Sequence, residues 1–161
     1  MTALRRMPAL PSPALPRDIV AARSVQADPR WPAIVDALAA LREKHRHAVR
    51  IVDADCGCGT FLIAVARHAH GMGFTAIEGR GIDGSPALIG RARAAAMRLR
   101  DRAIGLRFDL ADMHTALADE AEFPADIIVW HGANADDAVM AALTAAADRV
   151  IADRISRERA A

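Results

Sequence analysis

Val49–Gly59 reads VRIVDADCGCG. Within it, Arg50–Asp53 (RIVD) is a short β-branched run of the kind that forms a buried strand. Gly57 and Gly59 follow at once and lead into a helical pattern that starts near Thr60. Strand, glycine loop and helix in that order place free helix N–H groups beside the carboxyl end of a strand, where open α/β sheets bind ligands. Glycine lets the backbone pass close to a ligand there, because a Cβ would collide or forbid the needed φ.

Helices and strands alternate on both sides of this stretch. A helix is expected from Asp28 to about His45–Ala48, with Pro29 and Pro32 near its start and Ile34, Leu38 and Leu41 at helical spacing. Downstream, Thr60–His70 reads as a helix and Thr75–Asp83 holds a second strand, best defined at Gly81–Asp83. Ser85–Arg102 reads as a helix with Leu88, Ala92, Ala95 and Leu99 on one face, and Ile104–Leu110 as a third strand. Met113–Glu120 is helical, Asp126–Trp130 (DIIVW) is an apolar fourth strand, Ala135–Ala147 is an alanine-rich helix, and Arg149–Ala152 (RVIA) is a fifth strand. The pattern predicts the α/β class: a Rossmann-like three-layer α/β/α sandwich with a mostly parallel sheet of about five strands. Residues 1–27 are expected to be a flexible Pro-rich arm and 28–161 a single domain. About eight residues follow the fifth strand, which would then be a sheet edge covered by the arm or by a homo-oligomer.

Composition narrows the function classes. The 161 residues are 53% hydrophobic and 25% charged, enough apolar side chain for one core. A net charge of +1, from 21 basic and 20 acidic residues, lacks the field that recruits nucleic acid or an anionic membrane. Pro8, Pro11, Pro13 and Pro16 interrupt any apolar run behind Arg5 and Arg6, so a secretory signal is rejected and a cytoplasmic protein is expected. Cys56 and Cys58 are too close for an unstrained disulfide. With His68 and His70 nearby, they still lack a second ligand pair at zinc spacing, so no metal is expected and Cys56 reads as a small loop-packing side chain.

Single residues then stand out by position. Asp83, in GIDGSP, ends the second strand, where a carboxylate can accept hydrogen bonds from both hydroxyls of a ribose; Gly84 lies beside it. Ser85 caps the next helix with Pro86 at its first position. Asp112, in FDLAD, ends the third strand, where it can serve a ligand base or a turn. His131, in WHGAN, follows the fourth strand and is either a general base or a solvent-facing loop histidine. Asn134 is expected to cap the helix that starts at Ala135. Trp130 is expected in the core, and Arg91, Arg93, Arg98, Arg100 and Arg102 on a solvated helix face rather than an RNA surface.

Together these motifs resemble the class I S-adenosylmethionine-dependent methyltransferases over roughly residues 30–153. Ile51–Gly59 is similar to that family's first motif, hydrophobic–hydrophobic–Asp–x–Gly–Cys–Gly–x–Gly. GIDGSPALIGRAR is similar to its second motif, FDLAD to its third, and DIIVW to its fourth strand. The resemblance implies a cofactor-binding set of Asp53, Asp55, Cys56, Gly57, Gly59, Asp83, Gly84, Asp112, Met113 and His131. In that set Gly57 and Gly59 border the methionine part of S-adenosylmethionine, and Asp53 positions the loop or the cofactor's amino group. Asp83 holds the ribose, Asp112 and Met113 lie near adenine, and His131 is the candidate catalytic residue. Asp55 stands where the family has its first glycine, at a cost if that position needs a positive φ; its carboxylate either attracts the cofactor's cationic groups or obstructs them. The expected activity is methyl transfer to a small molecule. The alternatives are a catalytically inactive methyltransferase-like interaction module and a nicotinamide-dinucleotide domain. The latter fits worst, because its third glycine position holds Leu62.

Overall fold

The computed structural model describes residues 25–132 and 136–153. Five helices and five strands alternate: α1 (Trp31–Glu43), β1 (Ala48–Asp53), α2 (Thr60–Gly71), β2 (Ala76–Asp83), α3 (Pro86–Ala96), β3 (Ile104–Leu110), α4 (Met113–Glu120), β4 (Ala125–Trp130), α5 (Asp137–Ala146) and β5 (Ala147–Ala152). The strands form one sheet in the order β3-β2-β1-β4-β5, and every neighbouring pair is parallel. The expected α/β/α sandwich is therefore present, with its sheet wholly parallel.

Successive side chains of a strand point to opposite faces, and this splits the core in two. Ile51, Ile127 and Val129 pack with α1, α2 and α3 through Ile34, Leu38, Leu62, Val65 and Ile89. Val52, Ile82 and Ile128 pack on the other face with α4 and α5 through Leu117, Val139 and Leu143. Trp130 is buried in that second cluster, as expected. Strand order reverses beside β1, where Asp53 pairs with Gly81 of β2 on one side and Val129 of β4 on the other. That reversal opens the sheet's carboxyl edge at the end of β1.

A buried ionic network ties β1 and β2 to α4. Glu120 is 1% exposed, although it sits at the helix C-terminus where the dipole disfavours an anion. Arg80 Nη1 donates to Glu120 Oε2 at 2.9 Å and Arg80 Nε to Asp109 Oδ2 at 2.8 Å. Arg50 Nη2 lies 2.8 Å from Glu120 Oε1.

Several boundaries differ from the sequence reading. Val25 is buried in the α1–α3 core, so the folded body reaches back past Asp28; residues 1–24 of the expected arm lie outside the described residues. The helix expected over Ser85–Arg102 stops at Ala96. Beyond it, the Arg98 and Leu99 N–H groups turn back to the carbonyls of Ala95 and Ala96, and Asp101 Oδ1 accepts from Ala103 N–H at 2.9 Å, an Asx turn that starts β3. Its buried face carries Ile89 and Ala92 rather than Leu88 and Ala95, and Arg93 Nε donates to the Phe108 carbonyl instead of facing solvent alone. The cap of α5 is Asp136, whose side chain accepts from Val139 N–H at 2.8 Å; Asn134 lies outside the described residues. No described helix is long and apolar enough to cross a membrane.

Candidate functional site

The glycine loop is fastened to both strands that flank β1. Ala54 N–H donates to the Val129 carbonyl of β4 and Cys56 N–H to the Ile82 carbonyl of β2, each at 3.0 Å. The turn needs glycine at two points, with φ of 54° at Gly57 and 76° at Gly59. A Cβ on Gly59 would come within 2.7 Å of the Phe108 ring, so this glycine serves close packing. A Cβ on Gly57 would meet nothing within 4 Å, so its backbone borders open space. Asp55 has no positive φ; His45 is the only non-glycine residue with one among those described. The feared strain at Asp55 is absent, and its side chain is exposed.

Cys56 lies buried under the loop. Burial, then the nearby carboxylates of Asp53 and Asp83, push its thiol up to about 12, which leaves it an inert packing group. Cys58 is exposed, with Sγ 3.2 Å from Thr60 Oγ1. No group of three metal-ligating side chains occurs among the described residues.

Asp83, at the end of β2, fastens the same loop. Its Oδ2 accepts from Gly57 N–H at 3.0 Å and its Oδ1 from Ser85 N–H at 2.7 Å. A carboxylate offers about four acceptor positions, so capacity remains on the side away from the loop. Gly84 next to it is exposed. Ser85 accepts from Leu88 N–H and caps α3, as its position predicted. Asp112 is exposed and caps α4: Oδ1 accepts from Thr115 N–H at 3.0 Å and from the Thr115 hydroxyl at 3.2 Å. The Thr115 N–H bond holds this carboxyl below its usual value. Met113 beside it is half-buried.

The most unusual feature lies at the end of β1. Asp53 is 1% exposed, and its Oδ1 has no hydrogen-bond partner. Burial pushes its carboxyl up to about 7, opposed by Arg30 and by the Asp55 backbone N–H. Arg30 is 2% exposed and its Nη1 also lacks a partner. The rest of the guanidinium is held on three sides. Asp28 takes Nε at 2.9 Å and Nη2 at 2.8 Å, the Phe61 ring lies 4.1 Å below Cζ, and His131 Nε2 is 3.2 Å from Nη2. Burial raises the Asp28 carboxyl, but the bonds from Arg30 outweigh it and hold the group below its usual value. An acid and a base are thus each buried with one polar atom unsatisfied, a costly arrangement that a zwitterionic ligand would relieve.

Sequence reasoning missed Arg30 and Asp28. Their only local mark is the DPRWP run that opens α1, and nothing in it says that the arginine reaches across to β1. His131 is exposed, but its Nε2 lone pair faces the Arg30 guanidinium, with the proton assigned to Nδ1. It is therefore not free, as placed, to take a proton from an acceptor. In this arrangement its ring pairs with Arg30.

No family model matches the chain, and no curated protein matches its sequence. Among solved structures it is similar to the magnesium protoporphyrin IX methyltransferase of Synechocystis PCC 6803 with bound SAM. That likeness has 17% identity and a TM-score of 0.52, and covers 84% of this chain and 69% of that one. The same enzyme with bound SAH gives the same identity and TM-score. The cyclopropane synthase of Mycobacterium tuberculosis is 19% identical with a TM-score of 0.41, over 55% of this chain and 27% of that one. A class I S-adenosylmethionine-dependent methyltransferase structure from Listeria monocytogenes, itself described as putative, is 18% identical with a TM-score of 0.44, over 71% and 30%. The chain thus spans less than a third of the length of these last two. The fold is that of the class I S-adenosylmethionine-dependent methyltransferases.

Proposed function

We propose that this chain binds S-adenosylmethionine at the carboxyl end of β1 and transfers its methyl group to a small-molecule acceptor. One observation carries the reading: at the end of β1, Asp53 Oδ1 and Arg30 Nη1 are both buried and both without a hydrogen-bond partner. The amino-acid end of the cofactor carries an ammonium and a carboxylate, one complement for each. Asp53 would accept from the ammonium, and Arg30 would donate to the carboxylate through Nη1, the nitrogen that Asp28 and His131 leave free. Asp83 would take the ribose hydroxyls while it holds Gly57 and Ser85. Gly84, Asp112 and Met113 would lie along the nucleoside, with Cys56 and Gly59 shaping the loop from below. When bound, the cofactor supplies a sulfonium methyl whose C–S bonding pair stays on sulfur as the acceptor's lone pair takes the carbon. The chain contributes position and exclusion of water, which suffice for much of the rate of such a transfer. His131 would fix Arg30 against the loop after β4.

A second reading is a cofactor-binding interaction module without catalysis. It is favoured by the His131 lone pair, which faces Arg30 rather than an acceptor. Calorimetric titration of the full chain with S-adenosylmethionine and S-adenosylhomocysteine tests the cofactor site common to both readings. Binding that Asp83→Ala weakens by at least tenfold supports it, and no heat with either ligand at about millimolar concentration overturns it. Methyl transfer from labelled cofactor into a metabolite pool, against none after heat denaturation, separates enzyme from module.

A further inference from the structure

The helix that follows the glycine loop carries two stripes. Phe61, Leu62, Val65, Ala66 and Ala69 of α2 are buried in the core. Beside them Thr60, Ile63, Ala64, Arg67 and His68 recur at the same helical spacing and line a hollow of about 580 Å³, between the start of α1 and the end of α3. Small-molecule sites have this size, and combine an apolar lining with a few polar groups. The apolar part here is Ile63 and Ala64 with Ala95 of α3, Val25 and Trp31. The Trp31 ring is set by its neighbours, with centroids 5.2 Å from His68 and 6.3 Å from Phe61.

The charged groups of the hollow have one sign. Arg67 lies on α2 and Arg98 just beyond α3, both exposed, and none of the ion pairs among the described residues includes either. No aspartate or glutamate lines the hollow. His68 lines it as well, and its Nε2 is buried without a hydrogen-bond partner. Asp53, Asp83, Gly57 and Arg30 do not line it, so it is separate from the candidate cofactor site.

We propose that this hollow binds a small planar aromatic carboxylate. The ring would pack against Trp31 and Ile63, where aromatic pairs gain more than their buried area alone. The carboxylate would sit between Arg67 and Arg98, and a polar atom of the ligand would supply the partner that His68 Nε2 lacks. Charge also decides against the chain's own amino-terminal segment as occupant. Residues 1–24 carry four arginines, Arg5, Arg6, Arg17 and Arg23, against one aspartate, Asp18, and would add positive charge to a positive rim.

The test is calorimetric titration of the full chain with 2-naphthoate and with 2-naphthylmethanol, which keeps the ring and lacks the charge. Wild type should bind the acid about tenfold more tightly than the alcohol, since an exposed arginine–carboxylate pair is worth about threefold. Arg67→Ala and Arg98→Ala should each weaken the acid about threefold, and together about tenfold, while leaving the alcohol unchanged. Ala64→Phe fills the hollow and should remove both ligands, and thermal melting checks that each variant is folded. Equal affinity for acid and alcohol overturns the proposal, as does a double arginine variant that binds the acid like wild type. So does binding that survives Ala64→Phe, or no heat with folded wild type at about millimolar concentration. Decanoate binding more tightly than the acid overturns the aromatic assignment. Displacement of the acid by a peptide of residues 1–24 makes that segment the occupant, and displacement by S-adenosylmethionine moves the ligand to the cofactor site; both overturn it.

Discussion

Two carboxyl groups among the described residues are 1% exposed, Glu120 and Asp53, and their surroundings differ. Glu120 lies between Arg80 and Arg50, each about 2.8–2.9 Å away, and so ties α4 to the sheet; its Oε1 makes no hydrogen bond but faces the Arg50 guanidinium. Asp53 lies at the carboxyl end of β1 with one oxygen unpartnered and its carboxyl pushed up to about 7. Burial without full pairing is what a fold avoids unless a ligand completes it. The carboxylate held between two guanidiniums serves the architecture, and the one with no ion pair lies in the candidate site.

The largest effect tests the architectural half. Glu120→Ala leaves Arg80 with Asp109 and the Ala116 carbonyl and strips Arg50 of its buried partner, so stability should fall by about 3–5 kcal/mol in urea unfolding. A loss under about 1 kcal/mol would make the two buried carboxyls equivalent and break the contrast. Next comes Asp53→Asn. A carboxyl raised from 3.8 to about 7 on folding gives the native state stability that is fully present below pH 4 and lost as pH climbs to about 7. Wild type should therefore lose stability across that window, and the asparagine variant should escape the loss by on the order of 2–4 kcal/mol at pH 8. Parallel pH profiles of the two proteins would show that Asp53 is satisfied in solution.

Arg30→Lys keeps the charge but not the fork. It should cost about 1–2 kcal/mol of stability, through Asp28 and Phe61, while S-adenosylmethionine affinity drops tenfold or more. An affinity unchanged in a folded variant would detach Arg30 from the site. The smallest effect belongs to Asp112, an exposed cap. Asp112→Ala should lower the melting temperature by a few degrees, and Asp112→Ser, which keeps a cap, by less.

Most of the frame was legible in the sequence because it is written in local patterns. Apolar strand runs, the Ser85-Pro86 start and the Gly57 and Gly59 turn all report on neighbours a few residues away, and the parallel sheet follows from the alternation of strands and helices. The Ser85–Arg102 helix was overdrawn because composition continues past Ala96 while Asp101 competes for the backbone with its own side chain. Asp53 and Asp83 stand at strand ends that the motif marks. Arg30 was not, since its partners His131 and Phe61 lie 101 and 31 positions away and only folding brings them together. The same contact was hidden at His131, whose place at the end of β4 says nothing of what its lone pair faces.

The central claim is that the unpartnered Asp53 carboxyl is reserved for a cationic group of the ligand. The direct measurement is proton release on S-adenosylmethionine binding near pH 6.5, by calorimetry in two buffers of different ionisation enthalpy. Asp53 is largely protonated there before binding and must ionise to accept an ammonium. Wild type should release roughly half to one proton per ligand bound, and Asp53→Asn close to none. Tight binding with the same proton count in both proteins would contradict the account.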